Sequence, residues 1–491
     1  MIVDLEGGGA AALTGRTFDV CIAGAGPAGI TVARRLAAKG ASVALLEGGG
    51  RDIDSRSQDL YQGDIVGRDY FPLDVARLRY LGGTSNHWGG WSRALDDRDF
   101  EPNPLNPLSG WPISRKDLDP YGDETASILE LNQPPDAALD MFEGAPSDFR
   151  PIFFRFSTPV RFGEKYRDEI SASSKITLAL NANLVDLKLD DGGAASEAKI
   201  RGYTSPEIFA IRARYFVVAF GGLENPRFLL NASRQRAAGI GNENDLVGRY
   251  FLEHLHVPVG PMVLRKPVPN MLVYTPTREM MASAGVLNFG LRLTPIFPPA
   301  PDSEDAKKID PACNDPMTDL VAAEMAGTPI WCPNRGGEVF LVAEQALNPE
   351  SRVLLTDQID PLGMRRMALK WTLSDIDFRT IRAATVQLAS LMAQRDVGRM
   401  KLKDWLLSTD PNPTVSLDEL QGGNHHMGTT RMSDDPKTGV VDRDCRVHSV
   451  PNLYIGGSSV FATAGHANPT YTIVQLALRL GDHLAARLQA G

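Results

Sequence analysis

The stretch DVCIAGAGPAGITVARRLAAKGASVALLEGGG, from Asp19 to Gly50, constrains the chain more than any other. Asp19–Ala23 is a short apolar run that reads as a strand. Pro27–Lys39 carries Ile30, Val32, Ala33, Leu36 and Ala37 at helical spacing, and Gly40 stops that helix. Ala41–Glu47 is a second strand. The first turn is Gly24-Ala25-Gly26-Pro27-Ala28-Gly29. Gly24 permits the tight turn, Gly26 lets the backbone approach a pyrophosphate, and Gly29 lets helix and strand pack closely. The helix N-terminus at Pro27 and Ala28 then faces the negative charge. Glu47 ends the second strand, 18 residues after Gly29, where a carboxylate accepts from ribose hydroxyls. A carboxylate there disfavours a 2′-phosphate, so NADP is not expected. A structural glycine turn alone would not need the strand, helix, second strand and acidic end together.

With 491 residues, the chain is long enough for two domains, or for one with an elaborate insertion. Its 43% hydrophobic and 23% charged residues are those of an ordinary soluble globular protein. The net charge of −9 argues against nucleic acid or an anionic membrane surface as a partner. Cys21, Cys313, Cys332 and Cys445 form no CxxC and no metal-ligand pattern. Cys21 reads as a small buried hydrophobe. A Cys313–Cys332 disulfide is conceivable in a loop-rich region, but it is not expected, since nothing else suggests export. The N-terminus has no basic region followed by a long apolar one, and no apolar run reaches membrane-spanning length. The expectation is a cytoplasmic protein.

Residues 1–16 read as a loose arm, 115–130 as a helix and 151–220 as strand-rich. Arg214–Leu230 reads as a strand, a Gly-Gly turn and a helix with Pro226 near its first turn. Residues 256–300 and 337–372 read as strands, and 374–396 as a long helix. The Pro-rich segment 296–336 reads as a loop or lid. Val450–Ser459 is a strand, and a last helix runs from about Thr470 to Gln489. That ending predicts a nucleotide domain assembled from both ends of the chain.

The segment QGGNHHMGTTRM, Gln421–Met432, sets two of the eight histidines side by side. Zinc suits them poorly. Neighbouring residues rarely aim both rings at one ion, and no carboxylate or Cys lies at ligand spacing. No metal is expected.

The C-terminal region LYIGGSSVFATAGHANPTYTIVQLALRLGDHL adds a second nucleotide anchor. With it, the chain resembles the glucose–methanol–choline (GMC) oxidoreductases, which bind FAD. The resemblance rests on GAGPAG with Glu47, LGGTSNHWGG (81–90), VVAFGGLENPRFLL (217–230), LVGRYFLEHL (246–255), HHMGTTRM (425–432) and GHANPTYTI (465–473). It implies an α/β plus α+β fold. A Rossmann-like FAD domain would comprise residues 1–155, 175–255 and 420–491. A substrate domain of antiparallel sheet and helices would comprise 156–174 and 256–419.

The resemblance also implies a mechanism, in which a His and a second His or Asn beside the flavin take the hydroxyl proton while hydride goes to N5. The first residue precedes a glycine by three, which from Gly428 is His425. The second precedes the Pro-Thr of the last motif, which is Asn468. A His–Asn pair resembles the pyranose-oxidase and cholesterol-oxidase branches, and the motifs together are most similar to the pyranose-oxidase and glycoside 3-oxidase-like branch. The chemistry agrees: a neutral imidazole suits the proton, and an Asn amide holds the alkoxide oxygen without titrating. The implied cofactor set continues with Gly83, Thr84, Ser85, Asn86, His87, Val185, Gly221, Gly457, Ser458, Pro469 and Thr470. In many family members an Asp stands where this chain has Gly456.

His87 matches the position that carries the flavin covalently in pyranose oxidases. The alternative is a loop running past the flavin, with Asn86 and His87 as polar contacts and Trp88 as packing. His426 should point away from His425 and act in support. His466 either lines the pocket or packs.

The leading expectation is oxidation of a secondary hydroxyl of a sugar or glycoside. The alternatives are an apolar or aromatic alcohol, a redox-neutral flavin lyase, and a non-catalytic FAD-binding subunit. The electron acceptor, whether oxygen, quinone or a redox protein, is set by small pocket differences rather than by a motif.

Overall fold

The computed structural model describes residues 1–135, 137–142, 147–268, 270–296, 299, 302–304 and 332–490. The strand Thr17–Ala23 lies near the centre of an eight-stranded sheet, between Val43–Leu46 and Phe209–Val218, parallel to both. All four residues of Val43–Leu46 are buried, as expected of a parallel strand covered on both faces. Ile176–Leu180 extends the sheet beyond Val43–Leu46. On the other side, Asn183–Leu189 and Ala195–Arg201 form an antiparallel meander with Phe209–Val218. Leu453–Ile455 pairs in parallel with Phe216–Val218, so the late segment is built into the sheet's centre. Helix Thr470–Ala490 packs on helix Pro27–Ala38. There the Arg35 guanidinium donates to both carboxylate oxygens of Asp482, at 2.7 and 2.8 Å.

The other large sheet is antiparallel. Its order is Gly398–Met400, His254–Leu264, Gly336–Glu344, Phe289–Pro295, Leu272–Pro276 and Phe149–Ile152. Gln421–Gly422 also pairs with the start of His254–Leu264. Helix Asp375–Gln394 packs against this sheet and buries Phe378, Ile381, Ala384, Leu388 and Met392. A Ser374/Asp377 capping box starts that helix. A smaller sheet joins Arg352–Ile359 and Arg365–Trp371 to the early strand Gly63–Gly67.

Four expectations need correction. The N-terminal arm is anchored: Ile2–Asp4 pairs in parallel with Leu178–Leu180, and Leu13 is fully buried. The segment 149–152, assigned to the nucleotide domain, is an edge strand of the antiparallel sheet because it pairs with Leu272–Pro276. Within 156–174, assigned to the substrate domain, helix Phe162–Ala172 packs against the nucleotide sheet instead. Phe162, Tyr166 and Ile170 recur every four residues and give it one buried face. Finally, Cys332 is disulfide-bonded, and its partner lies outside the described residues. Most of the expected lid, 296–336, lies outside them as well. Among the described residues, no helix is long and apolar enough to cross a membrane.

Candidate active site

A cavity of about 420 Å³ runs from the first βαβ unit to the Gln421–Met432 loop. Its floor is bare backbone. A Cβ on Gly26 or on Gly221 would meet nothing within 4 Å. Gly457 adds a third glycine, with φ of +99°. These three come from distant parts of the chain and meet where the helix begins at Pro27. Gly24 and Gly29 do the packing. A Cβ on Gly24 would lie 2.4 Å from the Ala219 carbonyl oxygen, and one on Gly29 would lie 1.9 Å from that of Gly24. Glu47 is buried and accepts from the backbone N–H groups of Ala25 (3.1 Å) and Gly49 (2.8 Å). Burial pushes its pKa up, while these bonds pull it down.

Most of the expected cofactor residues line this cavity: Gly24, Gly26, Pro27, Ala28, Glu47, Gly83, Thr84, Ser85, His87, Gly221, Gly457, Ser458, Asn468, Pro469 and Thr470. Three do not. Gly29 lies behind the turn. Asn86 turns inward, its amide donating to the Leu81 carbonyl at 3.0 Å, so it shapes the loop. Val185 lines neither this cavity nor the separate small one that its neighbours Asn183 and Leu184 line. Trp88 donates its indole N–H to the Val160 carbonyl at 2.8 Å, a packing contact.

At the far end, the structure brings His425 and Asn468 together. The Asn468 amide nitrogen is 3.3 Å from His425 Nε2. The other side of the ring makes a contact that sequence reasoning missed: His425 Nδ1 is 2.9 Å from Nδ1 of buried His254. His254 Nε2 lies 3.1 Å from the Ala464 carbonyl oxygen. A carbonyl only accepts, so His254 Nε2 carries the hydrogen. Burial holds the His254 pKa down to about 3, so the ring is neutral and its Nδ1 is an acceptor. His425 Nδ1 must therefore donate, which leaves a lone pair on His425 Nε2. Burial, followed by His254, His256 and His426, keeps the His425 pKa well below 6.5. The arrangement can take a proton at His425 Nε2 and donate a hydrogen bond from Asn468.

The loop is held from below. The Glu253 carboxylate accepts from the backbone N–H of Gly423 and of His425, each at 3.0 Å. Tyr70 donates its O–H to the same carboxylate and accepts from His426 Nε2–H at 2.9 Å. Burial pushes the Glu253 pKa up to about 7, against the pull of these donors. His425 and His426 thus address different partners. His466 is buried, 3.3 Å from Thr275 Oγ1 and 3.6 Å from Asp96, and it lines a second cavity. Sequence reasoning also missed Tyr70, Glu253 and His256. One signal was available: His254 and His256 alternate in LEHLH, which puts both on one face of a strand.

Residues 348–477 match the family model described as GMC oxidoreductase. Over that stretch the chain is similar to the C-terminal part of the GMC oxidoreductases. A 6'''-hydroxyparomomycin C oxidase of Streptomyces lividus is 24% identical over 97% of this chain and 92% of that protein. A C-glycoside 3-oxidase of Microbacterium trichothecenolyticum is 27% identical over 63% of this chain and 54% of that protein. Among solved structures, a formate oxidase of Aspergillus oryzae superposes with a TM-score of 0.56, at 17% identity, covering 97% of this chain and 99% of that one. FAD is the cofactor that these likenesses support, and the residues present fit it. The open glycine floor at a helix N-terminus suits a pyrophosphate, and the cavity continues from there to His425 and Asn468.

Proposed function

We propose that this chain is a GMC oxidoreductase that oxidises a secondary hydroxyl of a sugar or glycoside to a ketone. The observation that carries this reading is the bare Nε2 of His425, 3.3 Å from the Asn468 amide, where the two cavities share a wall. His425 Nε2 takes the hydroxyl proton as the C–H bond is broken. The Asn468 amide holds the oxygen that is losing the proton. Bound FAD supplies a hydride acceptor at its N5. His254 fixes the tautomer of His425, and Glu253 fixes the loop.

The sugar assignment draws support from relatives named for aminoglycoside and glycoside oxidation. A second reading, an aromatic alcohol, is favoured by the rings of Trp91, Phe154 and Phe340 around the second cavity. Anaerobic mixing of the holoenzyme with pyranosides and with benzylic alcohols separates the two. Bleaching of the visible flavin band by a pyranoside is expected. Bleaching by benzylic alcohols alone would replace the first reading with the second.

A further inference from the structure

The second cavity, of about 250 Å³, shares Trp91, Gly423, His425 and Asn468 with the first. One of its walls carries Arg292. This residue sits on strand Phe289–Pro295, in register with Phe340 on one side and Val273 on the other. Its guanidinium carbon lies 4.6 Å from the ring centre of Phe340 and 5.1 Å from that of Trp91. No carboxylate faces it among the described residues, and its Nε is buried without a hydrogen-bond partner. The contrast with other buried arginines is direct. Arg77 has Glu224 at 2.8 Å, Arg98 has Asp96 at 3.2 Å, and Arg227 has Asp360 at 2.5 Å. A half-buried cation held between two aromatic faces is costly unless an anion arrives.

The charge and spacing of the cavity say which anion. His256 Nε2 and His466 Nδ1 line the same space, and both are buried without partners. Burial holds His256 down to about 4 and lowers His466 too, so both rings are neutral donors or acceptors. The cavity then presents one positive charge, which matches a carboxylate and leaves a phosphate's second charge unmet. Gly290 lies against the His466 ring and is in register with Val342, which pairs in turn with His256. The His256 ring is 5.7 Å from that of His425. Arg292 is two residues beyond Gly290 on the same face of its strand, about 7 Å from it, and it lines the same cavity as His425.

We propose that Arg292 pairs with a carboxylate on the substrate, so that the enzyme acts on a sugar acid or its glycoside. The reacting hydroxyl sits at His425, and the carboxylate lies at Arg292 in the same cavity. This proposal rests on the reading of His425 and Asn468 as the site of hydroxyl oxidation.

The test uses holoenzyme and matched pairs, such as methyl glucopyranosiduronate against methyl glucopyranoside, in anaerobic stopped flow. The acid should reduce the flavin with about 10- to 100-fold higher second-order rate constant. Arg292→Met should collapse that ratio towards one, and Arg292→Lys should keep part of it. A wild-type ratio of one or below, or a ratio that survives Arg292→Met, overturns the proposal. Melting temperature and flavin spectrum report whether each variant is folded. If neither sugar reduces the flavin, the sugar reading has failed, and a second arm still judges Arg292. Cyclohexanecarboxylate and its amide are titrated against the visible flavin band. Tighter binding of the acid by wild type, lost in Arg292→Met, sustains the anion site; equal binding of acid and amide overturns it.

Discussion

A backbone carbonyl, that of Ala464, decides which nitrogen of His425 is bare. It takes the Nε2–H of His254, and His254 in turn takes the Nδ1–H of His425. His425→Ala should therefore lower the rate of flavin reduction by about 10²- to 10⁴-fold while the bound-flavin spectrum persists. A wild-type rate in stopped flow would remove His425 from the chemistry. The pH dependence follows from the same contacts. His425 is neutral above its depressed pKa, so the reduction rate should hold steady down through pH 6.5 and fall only below it. His254 is among the groups that lower this pKa, so in His254→Phe the acid limb should move up towards 6.5 and the plateau should drop. A pH profile of His254→Phe that overlays the wild type would leave His254 with a packing role alone. His425 and Asn468 were legible because each stands at a fixed offset from a glycine or proline in its motif. His254 was not, because its role is a choice of tautomer made by a loop more than 200 residues away.

Among the elements, the turn at Gly24–Gly29 has the least room for change. An alanine Cβ at Gly29 would sit 1.9 Å from the Gly24 carbonyl oxygen, and both atoms belong to packed backbone. Gly29→Ala should cost about 1–3 kcal/mol in stability and release FAD, measured by thermal melts and by flavin retained on gel filtration. The Gln421–Met432 loop depends instead on polar contacts. Tyr70→Phe strips a donor from Glu253 and an acceptor from His426, both buried. It should cost about 1–3 kcal/mol in denaturant melts, with a smaller loss of reduction rate than His425→Ala. The βαβ unit was legible because its signals are local and agree with one another. The division of elements between the sheets was not. Strand Phe149–Ile152 finds its partner at Leu272–Pro276, and no local pattern encodes a pairing at that separation. Helix Phe162–Ala172 was legible in principle, from the four-residue recurrence of Phe162, Tyr166 and Ile170, but it lay among strand-like segments.

For the whole molecule, buried neutral imidazoles tie stability to pH. His254 and His426 are buried, with pKa values lowered to about 3 from an ordinary 6.5. Below pH 6.5 the unfolded chain takes up protons that the folded protein refuses. The unfolded state then binds more protons, so stability falls as pH falls, from 6.5 towards 3. Between pH 7.5 and 5.5 the two rings together should contribute a loss of about 3 kcal/mol. Buried Glu253, Glu344 and Asp377 oppose it: their pKa values, pushed up to about 7, 8 and 7, make the folded protein take up protons in the same window. His426→Phe, which removes one ring, should therefore lose less melting temperature than the wild type between pH 7.5 and 5.5; an unchanged shift would show that the ring is charged or hydrated in the folded state. The threading of the large parallel sheet has a further consequence, for biosynthesis. Leu453–Ile455 fills a position beside Phe216–Val218, and His425 and Asn468 come from the same late part of the chain. A ribosome must pass all of these before the sheet can close or His425 can meet Asn468. The nascent protein therefore cannot assemble the His425–Asn468 pair until Asn468 has been made, whatever of the sheet has formed by then.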